Sequence, residues 1–276
     1  VQSERMRSGI YQKYAKELIQ RGGAHYCFCD EEMIHVQREL QTARKENFKY
    51  DDPCKLLSIE ECEKRIENGE SYVIRQTVPT SGTTSFDDEV FGHITVDNDT
   101  LDESILLKSD GFPTYNFANI IDDHTMNITH VVRGMEYLSS TPKYNLIYQA
   151  FDWAIPTYVH CPPVMKDEKT KLSKRNGDAS FQDLIQKGYL PEAILNYIAL
   201  LGWAPETDQE IYTLEELVQA FNVQHIGTSG AIFDMNKLTW VNAQWLRAMS
   251  LDQYTELVKP YIVQSVKGNF DITKIA

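Results

Sequence analysis

A cluster of cations stands out in the segment Lys171-Leu-Ser-Lys174-Arg175, which Gly177 follows closely. A lysine ammonium is a compact charge on a flexible stem and suits phosphate oxygens. Two lysines on one loop could neutralise the negative charge that develops on a leaving pyrophosphate. Taken alone, the segment is more typical of a solvated basic loop, so the rest of the sequence must decide between the two interpretations.

Arg133 directly follows the run at 128–132, whose residues predict a short strand. Open α/β sheets bind ligands at the carboxyl ends of strands, where an arginine can hold a carboxylate by two charged hydrogen bonds. Tyr115 and Asn119 are four residues apart, so they share one face of the helix predicted after Pro113. Their side chains could close a pocket around that carboxylate.

Each of these residues also has a purely structural interpretation. Arg133 could form a strand-end salt bridge with Asp122 or Asp123. Tyr115 could be a core aromatic, and Glu136 could be an acid at a helix start, where the helix dipole stabilises it. Only their combination favours a binding site.

The composition limits the kind of protein that can carry these residues. Its 276 residues include 40 acidic and 27 basic side chains, so the formal charge is 27 − 40 = −13, which excludes a globally basic nucleic-acid binder. With 42% hydrophobic and 24% charged residues, the chain is typical of a folded globular protein. The five cysteines are an odd number and no export signal precedes them, so metal ligands or buried thiols are favoured over disulfides in a cytoplasmic protein.

The elements around these residues predict an α/β protein. A helix with apolar residues at Ile10, Tyr14 and Leu18 is followed by strand-like runs at 72–78, 90–96 and 105–108, which suggest a small α+β unit. From Asp110 onward, strand, turn and helix follow one another, which indicates a parallel α/β layer. A mainly helical tail begins after the lysine-rich loop.

Short sequence signals predict where several helices begin. Ser58 with Glu61, and Thr213 with Glu216, read as capping boxes. Pro142 and Pro191 are each expected in the first turn of a helix. The highly charged stretch that follows Asp30 could hold a solvated helix.

The two segments 110–124 and 129–137, together with that loop, resemble the catalytic domain of class I aminoacyl-tRNA synthetases, specifically the bacterial glutamyl-tRNA synthetases. The segments 188–203 and 229–238 resemble the family's tRNA stem-contact region. The resemblance implies a Rossmann-like nucleotide-binding fold with a zinc-bearing α+β insertion and a helical stem-contact region. It also implies ligation of glutamate to tRNA(Glu) through a glutamyl-adenylate, with ATP and Mg²⁺ as substrates.

By this resemblance, the predicted site residues fall into three groups. The glutamate site comprises Tyr115, Asn119 and Arg133. Glu136 lies near ATP, while Lys171 and Lys174 contact the ATP triphosphate and act in catalysis, Lys174 being the better candidate for the triphosphate contact.

Four residues form the predicted metal site: Cys27, Cys29, Tyr50 and Cys54. Three thiolates and one further ligand would give the closed tetrahedral shell of structural zinc, and the spacing resembles the zinc-binding form of the family's acceptor-end-binding insertion. Some members carry a histidine two residues after the last cysteine, where this chain has Leu56. Tyr50 is therefore the first candidate for the fourth ligand. Other candidates are Cys62, His25 and His35, and reduced cysteines without metal are the alternative.

The resemblance divides the chain into five segments: the end of the first catalytic half (1–24), the zinc-bearing insertion (25–109), the second catalytic half (110–163), the lysine loop with the stem-contact region (164–250), and the start of an anticodon-binding domain (251–276). The resemblance places the family's His-Ile-Gly-His-like turn, which binds ATP, before residue 1. We therefore expect residues 1–276 alone to be inactive. The expected partners are tRNA(Glu), glutamate and ATP, without a membrane, in a monomeric cytoplasmic enzyme.

Two rival interpretations remain open. One is a non-catalytic tRNA- or zinc-binding fragment, and the other is the glutamyl-Q-tRNA synthetase relative, which charges a modified tRNA base. Because the net charge is negative, RNA binding would require local concentration of cations, as in the basic loop at 166–175.

Overall fold

A computed structural model describes residues 2–44, 50, 53–173 and 180–265. The chain forms two compact units, Val1–His160 and Cys161–Ala276. Among the described residues, no helix combines the length and apolar character needed to cross a membrane.

The first unit contains six α-helices and seven strands among the residues described. The helices are α1 Gln2–Arg7, α2 Ile10–Gln20, α3 Glu31–Ala43, α4 Ile59–Glu67, α5 Tyr115–Thr125 and α6 Thr141–Ala150. The strands are β1 Ala24–Cys27, β2 Val73–Gln76, β3 Thr83–Asp88, β4 Gly92–Asp97, β5 Ile105–Leu107, β6 His130–Gly134 and β7 Thr157–Cys161, the last of which ends one residue into the second unit. Short 3₁₀ helices span Pro53–Leu56, Asn98–Thr100 and Met135–Ser140.

Local sequence signals explain several of these boundaries. Ser58 and Glu61 form the predicted capping box at the start of α4, with each side chain accepting a hydrogen bond from the other residue's backbone N–H. Pro142 lies in the first turn of α6, where its missing N–H costs no helical hydrogen bond. The predicted solvated helix after Asp30 is α3, which buries none of its residues.

The strands form two sheets. One has the order β1-β2-β5 and is antiparallel. The other has the order β4-β3-β7-β6, and here the expected parallel layer is only partly right, because β3 pairs parallel with β7 but antiparallel with β4. The physical reason is the tight connection between β3 and β4, since parallel neighbours require a long crossover.

The core of the first unit lies between α2, α5, α6 and the three-stranded sheet. Helix α5 buries Phe117, Ile120 and Ile121, which pack in one cluster with Tyr11 and Leu18 of α2. Burial of this side fixes the rotation of α5 and so determines where its remaining side chains point.

The second unit is mainly helical in its described residues. Its helices are α7 Phe181–Gln186, α8 Pro191–Ala199, α9 Leu214–Ala220, α10 Met235–Ala248 and α11 Leu251–Ser265; its strands, β8 Val164–Met165 and β9 Ala231–Ile232, pair parallel. The predicted Thr213–Glu216 capping box opens α9. Apolar faces of α8 and α10 meet at Ile194 and Leu238.

Candidate functional site

Arg133 lies at the end of β6, as the sequence predicts, and is half-buried. Its Nε donates a hydrogen bond to His160 Nε2 at 3.2 Å, and its Nη2 donates to Thr141 Oγ1 at 2.8 Å. These two bonds hold one edge of the planar guanidinium group. The outer edge, formed by Nη1 and Nη2, therefore has a fixed direction.

Three tyrosine rings surround the guanidinium group. Its central carbon lies 5.1 Å from the ring centre of Tyr137, 4.8 Å from that of Tyr144 and 5.7 Å from that of Tyr158. A cation near an aromatic face is stabilised by the ring quadrupole, more so away from water. Burial raises the pKa of Tyr144 and Tyr158 although Arg133 opposes the shift, so both phenols stay neutral.

The salt-bridge interpretation of Arg133 does not hold. Asp122 instead accepts hydrogen bonds from Arg5 Nε at 2.7 Å and from the Tyr11 hydroxyl at 2.8 Å. Burial raises the pKa of Asp123, and the charge of Arg133 only opposes that shift. Within the part of the chain that the structure describes, no carboxylate oxygen lies at salt-bridge distance from Arg133.

Helix α5 positions the other two residues of the predicted pocket. The Tyr115 side chain is exposed, and its ring lies 5.8 Å from that of Tyr137, which in turn contacts Arg133. One helical turn later, Asn119 Oδ1 is buried and has no hydrogen-bond partner among the described residues. An acceptor in this position is typical of a group that awaits a donor from a ligand.

Glu136 follows β6 in the first turn of the 3₁₀ helix Met135–Ser140. Its carboxylate folds back over Gly134 so closely that a side chain at Gly134 would force it to move. Burial lowers the pKa of His160, while its hydrogen bond to Asp88 and, more weakly, the negative charge of Glu136 oppose that shift. Glu136 therefore lies at the same end of the sheet as Arg133.

Sequence reasoning missed the residues that hold Arg133 in place. Tyr137, Thr141, Tyr144 and His160 were not predicted as part of the site. One signal was present, because the i, i+3 spacing of Thr141 and Tyr144 puts both on one face of α6. His160 gave no such signal, since a single histidine in an apolar strand is usually structural.

The lysine loop belongs to the second unit. Asp167 Oδ1 accepts hydrogen bonds from the backbone N–H groups of Lys169 and Thr170 at 2.9 and 2.8 Å, and these donors lower the pKa of Asp167. The turn presents Lys171 as an exposed residue. Lys174 lies outside the described residues, so the roles of both lysines stay predictions.

The three predicted cysteine ligands come together in the first unit. Cys27 ends β1, Cys29 precedes the start of α3, and Cys54 lies in the 3₁₀ helix Pro53–Leu56; their sulfur atoms are all within 4.8 Å of one another. The Cys29 and Cys54 sulfurs are 3.7 Å apart, which matches the roughly 3.8 Å between two thiolates each about 2.3 Å from a tetrahedral zinc ion. The cluster therefore fits zinc.

Tyr50 lies next to Cys27, one of the three clustered cysteines. Its hydroxyl oxygen lies 3.4 Å from Cys27 Sγ, against about 3.5 Å expected for a sulfur and an oxygen sharing a tetrahedral zinc ion. The Arg75 guanidinium group lies 4.3 Å from the Tyr50 ring centre. No other histidine, cysteine or carboxylate of the described residues joins the group, which leaves out Cys62, His25 and His35.

Comparison with known proteins places this geometry in a family. The model for the catalytic domain of class I (E and Q) tRNA synthetases matches residues 1–240. Glutamate–tRNA ligases of Clostridium botulinum and Clostridium acetobutylicum are each 56% identical to the chain, over 276 and 277 residues. These alignments cover 100% of this chain but only 56% and 57% of those proteins, so the chain spans about half the length of the curated relatives it matches.

Solved structures of glutamate–tRNA ligases share the fold of this chain. A crystal structure of a glutamate tRNA ligase from Elizabethkingia meningosepticum, in complex with its amino acid, superposes with a TM-score of 0.89 at 33% identity, over 99% of this chain and 60% of that one. The glutamate-tRNA synthetase of Elizabethkingia anophelis gives a TM-score of 0.87 at 33% identity, with the same coverage of both chains. The predicted α/β catalytic fold is thereby confirmed, and the chain belongs to the class I (E and Q) tRNA synthetase family.

Proposed function

We propose that the protein containing this chain ligates L-glutamate to tRNA(Glu) through a glutamyl-adenylate, with Mg²⁺-bound ATP as energy source. One observation carries the assignment: a half-buried arginine, held on one edge and surrounded by tyrosine rings, has no carboxylate partner among the described residues. A cation left in that state calls for an anionic ligand.

The chemistry of Arg133 selects glutamate over glutamine. Its guanidinium group offers only donors, so it pairs with both oxygens of a carboxylate and not with the NH₂ of an amide. The unpartnered Asn119 Oδ1 supplies an acceptor for an N–H group of the ligand. Tyr115, exposed at the start of α5, would cover the pocket.

The ATP side of the reaction is assigned to three residues. Glu136 would contact the ribose or adenine, since it lies at the sheet end that carries Arg133. Lys171 and Lys174 would bind the triphosphate and neutralise the leaving pyrophosphate. Support for the two lysines is the loop's sequence, because Lys174 lies outside the described residues.

Structural zinc is the metal we propose for the cysteine cluster. Cys27, Cys29 and Cys54 would hold it with Tyr50, and when bound it would join the ends of β1 and α3 to the 3₁₀ helix Pro53–Leu56. Soft thiolates in a tetrahedral arrangement favour zinc over magnesium or calcium.

The remaining assignments follow the family. We propose that 25–109 binds the tRNA acceptor end between the catalytic segments 1–24 and 110–163, that 164–250 contacts the tRNA stem, and that 251–276 begins an anticodon-binding domain. The enzyme would act as a monomer in the cytoplasm, where its tRNA substrate is found.

The test uses the full-length protein in ATP–pyrophosphate exchange. Exchange that requires glutamate, ATP and tRNA(Glu) together supports the proposal. Absence of exchange with every tRNA would favour the non-catalytic interpretation. Charging of a modified base on another tRNA, without charging of tRNA(Glu), would favour the glutamyl-Q-tRNA synthetase relative.

A further inference from the structure

Three side chains from different strands form a row beneath the proposed glutamate site. Asp88 Oδ2 lies 2.6 Å from His160 Nδ1, and His160 Nε2 lies 3.2 Å from Arg133 Nε. The side chains of Asp88 and His160 are both 0% exposed. A buried carboxylate and a buried imidazole are costly to maintain unless each is fully hydrogen-bonded.

Sheet order explains how the row forms. Strands β3, β7 and β6 are consecutive neighbours, and they carry Asp88, His160 and Arg133 respectively. Asp88 pairs in register with Tyr158, and His160 lies two residues further on, so Tyr158 and His160 share one face of the sheet. All three residues therefore lie on adjacent strands at the end of the sheet where ligands bind in α/β folds.

The hydrogen bonds fix the tautomer of His160. An arginine Nε can only donate, so His160 Nε2 must offer its lone pair and the ring proton must be on Nδ1, directed at Asp88. Burial lowers the pKa of His160, which keeps the ring neutral and Nε2 available as an acceptor.

Asp88 is itself held on both oxygens. Oδ1 accepts from the backbone N–H groups of Val90 at 3.0 Å and Phe91 at 2.9 Å, and Oδ2 accepts from the His160 backbone N–H at 3.2 Å in addition to the ring. The carboxylate cannot rotate without breaking these bonds. The orientation of the imidazole ring is thus set by backbone geometry at the end of β3.

Thr141 completes the hold on Arg133. Its hydroxyl accepts from Arg133 Nη2 at 2.8 Å and donates to the carbonyl oxygen of Tyr137 at 3.0 Å. The Nε and Nη2 edge of the guanidinium group is thereby engaged. What remains for a ligand is the outer edge, Nη1 and Nη2, which matches a carboxylate in a two-pronged arrangement.

We propose that His160 is a positioning residue for glutamate, with its tautomer set by Asp88, and that it aims the outer edge of Arg133 at the substrate carboxylate. This inference rests on the proposed function. It also extends it, because the discrimination of glutamate from glutamine would depend on two residues that never touch the substrate.

Two variants of the full-length enzyme test the row, in tRNA-dependent pyrophosphate exchange. Asp88→Asn keeps the shape of the Asp88 side chain. Its carbonyl oxygen must still accept from the backbone N–H groups of Val90 and Phe91, so its NH₂ faces His160 Nδ1. A donor there favours the His160 tautomer that is protonated on Nε2. His160→Phe keeps a ring and removes the acceptor. For both we expect the KM for glutamate to rise about tenfold, the scale of a lost charge-assisted hydrogen bond, while the KM for ATP changes less than about twofold.

Rescue and control variants separate positioning from folding. His160→Gln keeps an acceptor oxygen within reach of Arg133, so the KM for glutamate should return most of the way to the wild-type value. Thr84→Val is the matched control, because Thr84 is also buried in β3 but donates to Asn98 at 2.6 Å, away from Arg133. Its thermal stability should fall while its KM for glutamate stays unchanged.

A direct measurement accompanies the kinetics. Nitrogen-15 NMR of histidine-labelled wild-type protein should show a neutral ring protonated on Nδ1, with the signal assigned by its loss in His160→Gln. A ring protonated on Nε2, or an unchanged KM for glutamate in folded Asp88→Asn and His160→Phe, would overturn the inference. If wild-type enzyme shows no glutamate-dependent exchange, the proposed function fails, and the positioning role fails with it.

Discussion

Arg133→Lys is the sharpest test of the glutamate site, because it keeps the positive charge and removes only the geometry. Lysine ends in a single ammonium group, which cannot bond His160, Thr141 and a two-pronged carboxylate together. The substitution therefore separates the charge of Arg133 from its shape.

The magnitude follows from the bonds that are lost. Replacing two parallel charged hydrogen bonds to the substrate by one removes about 1.5–3 kcal/mol, since that is the range for a hydrogen bond to a charged group. At about 1.4 kcal/mol per factor of ten, the affinity for glutamate falls by roughly ten- to a hundredfold. Arg133→Ala, which also removes the charge, should abolish measurable glutamate binding.

The assay is tRNA-dependent pyrophosphate exchange by the full-length protein, with glutamate and ATP varied separately. We expect the KM for glutamate to rise by the stated factor and the KM for ATP to stay near the wild-type value. Arg5→Lys is the matched control, because Arg5 is also partly buried but donates to Asp122. Its KM for glutamate should not change.

Two results would refute this reasoning. If Arg133→Lys binds glutamate as tightly as the wild-type enzyme, the two-pronged contact does not exist. If the KM values for glutamate and ATP rise together, Arg133 supports the fold of the whole site and does not recognise one substrate.

Three further predictions concern metal, pH and the lysine loop. Cys54→Ser should reduce the bound zinc, measured by metal analysis, from about one ion per chain to well below one. Cys161→Ser is the control, because Cys161 lies outside the cluster, and it should keep the wild-type zinc content. Equal zinc content in the two variants would exclude the site. Burial lowers the pKa of His160 and His124 in the folded chain. Below about pH 6.5 the unfolded chain therefore binds protons that the folded chain does not, so the protein should become less stable as pH decreases. For His160 the free energy of unfolding should fall by no more than about 1.4 kcal/mol per pH unit. A melting temperature that rose on acidification would contradict this sign. Lys174→Ala in the full-length protein should abolish pyrophosphate exchange while leaving the melting temperature unchanged, and full activity would remove the lysine from the mechanism.

Local patterns predicted the elements that depend on neighbouring residues. The Ser58 and Thr213 capping boxes, the proline start of α8 and the strand that ends at Arg133 were all confirmed. Each of these signals acts within a few residues, so it can be read without knowing the fold. The same holds for Tyr115 and Asn119, whose spacing placed them on one helix.

Strands β1, β3 and β7 were not predicted from the sequence, and β3 shows why local patterns miss such strands. Strand β3 alternates buried and exposed residues, but the buried set includes Thr84 and Asp88, so its inward face is not apolar. A buried polar side chain is stable only when another part of the chain supplies its hydrogen-bond partner, as Asn98 does for Thr84. Hydrophobic periodicity therefore fails where the inward face of a strand carries buried polar groups.

The proposed glutamate site thus depends on strand register as much as on residue identity. His160 reaches both Asp88 and Arg133 because β7 is the middle strand between β3 and β6. A one-residue slip of β7 would exchange His160 for a neighbour such as Val159, since alternate residues of a strand face opposite sides. An apolar side chain there would leave the Asp88 carboxylate buried without its imidazole partner and Arg133 without an acceptor on Nε. The polar row therefore disfavours the wrong pairing, and the same hydrogen bonds that select the register also set the direction of the arginine.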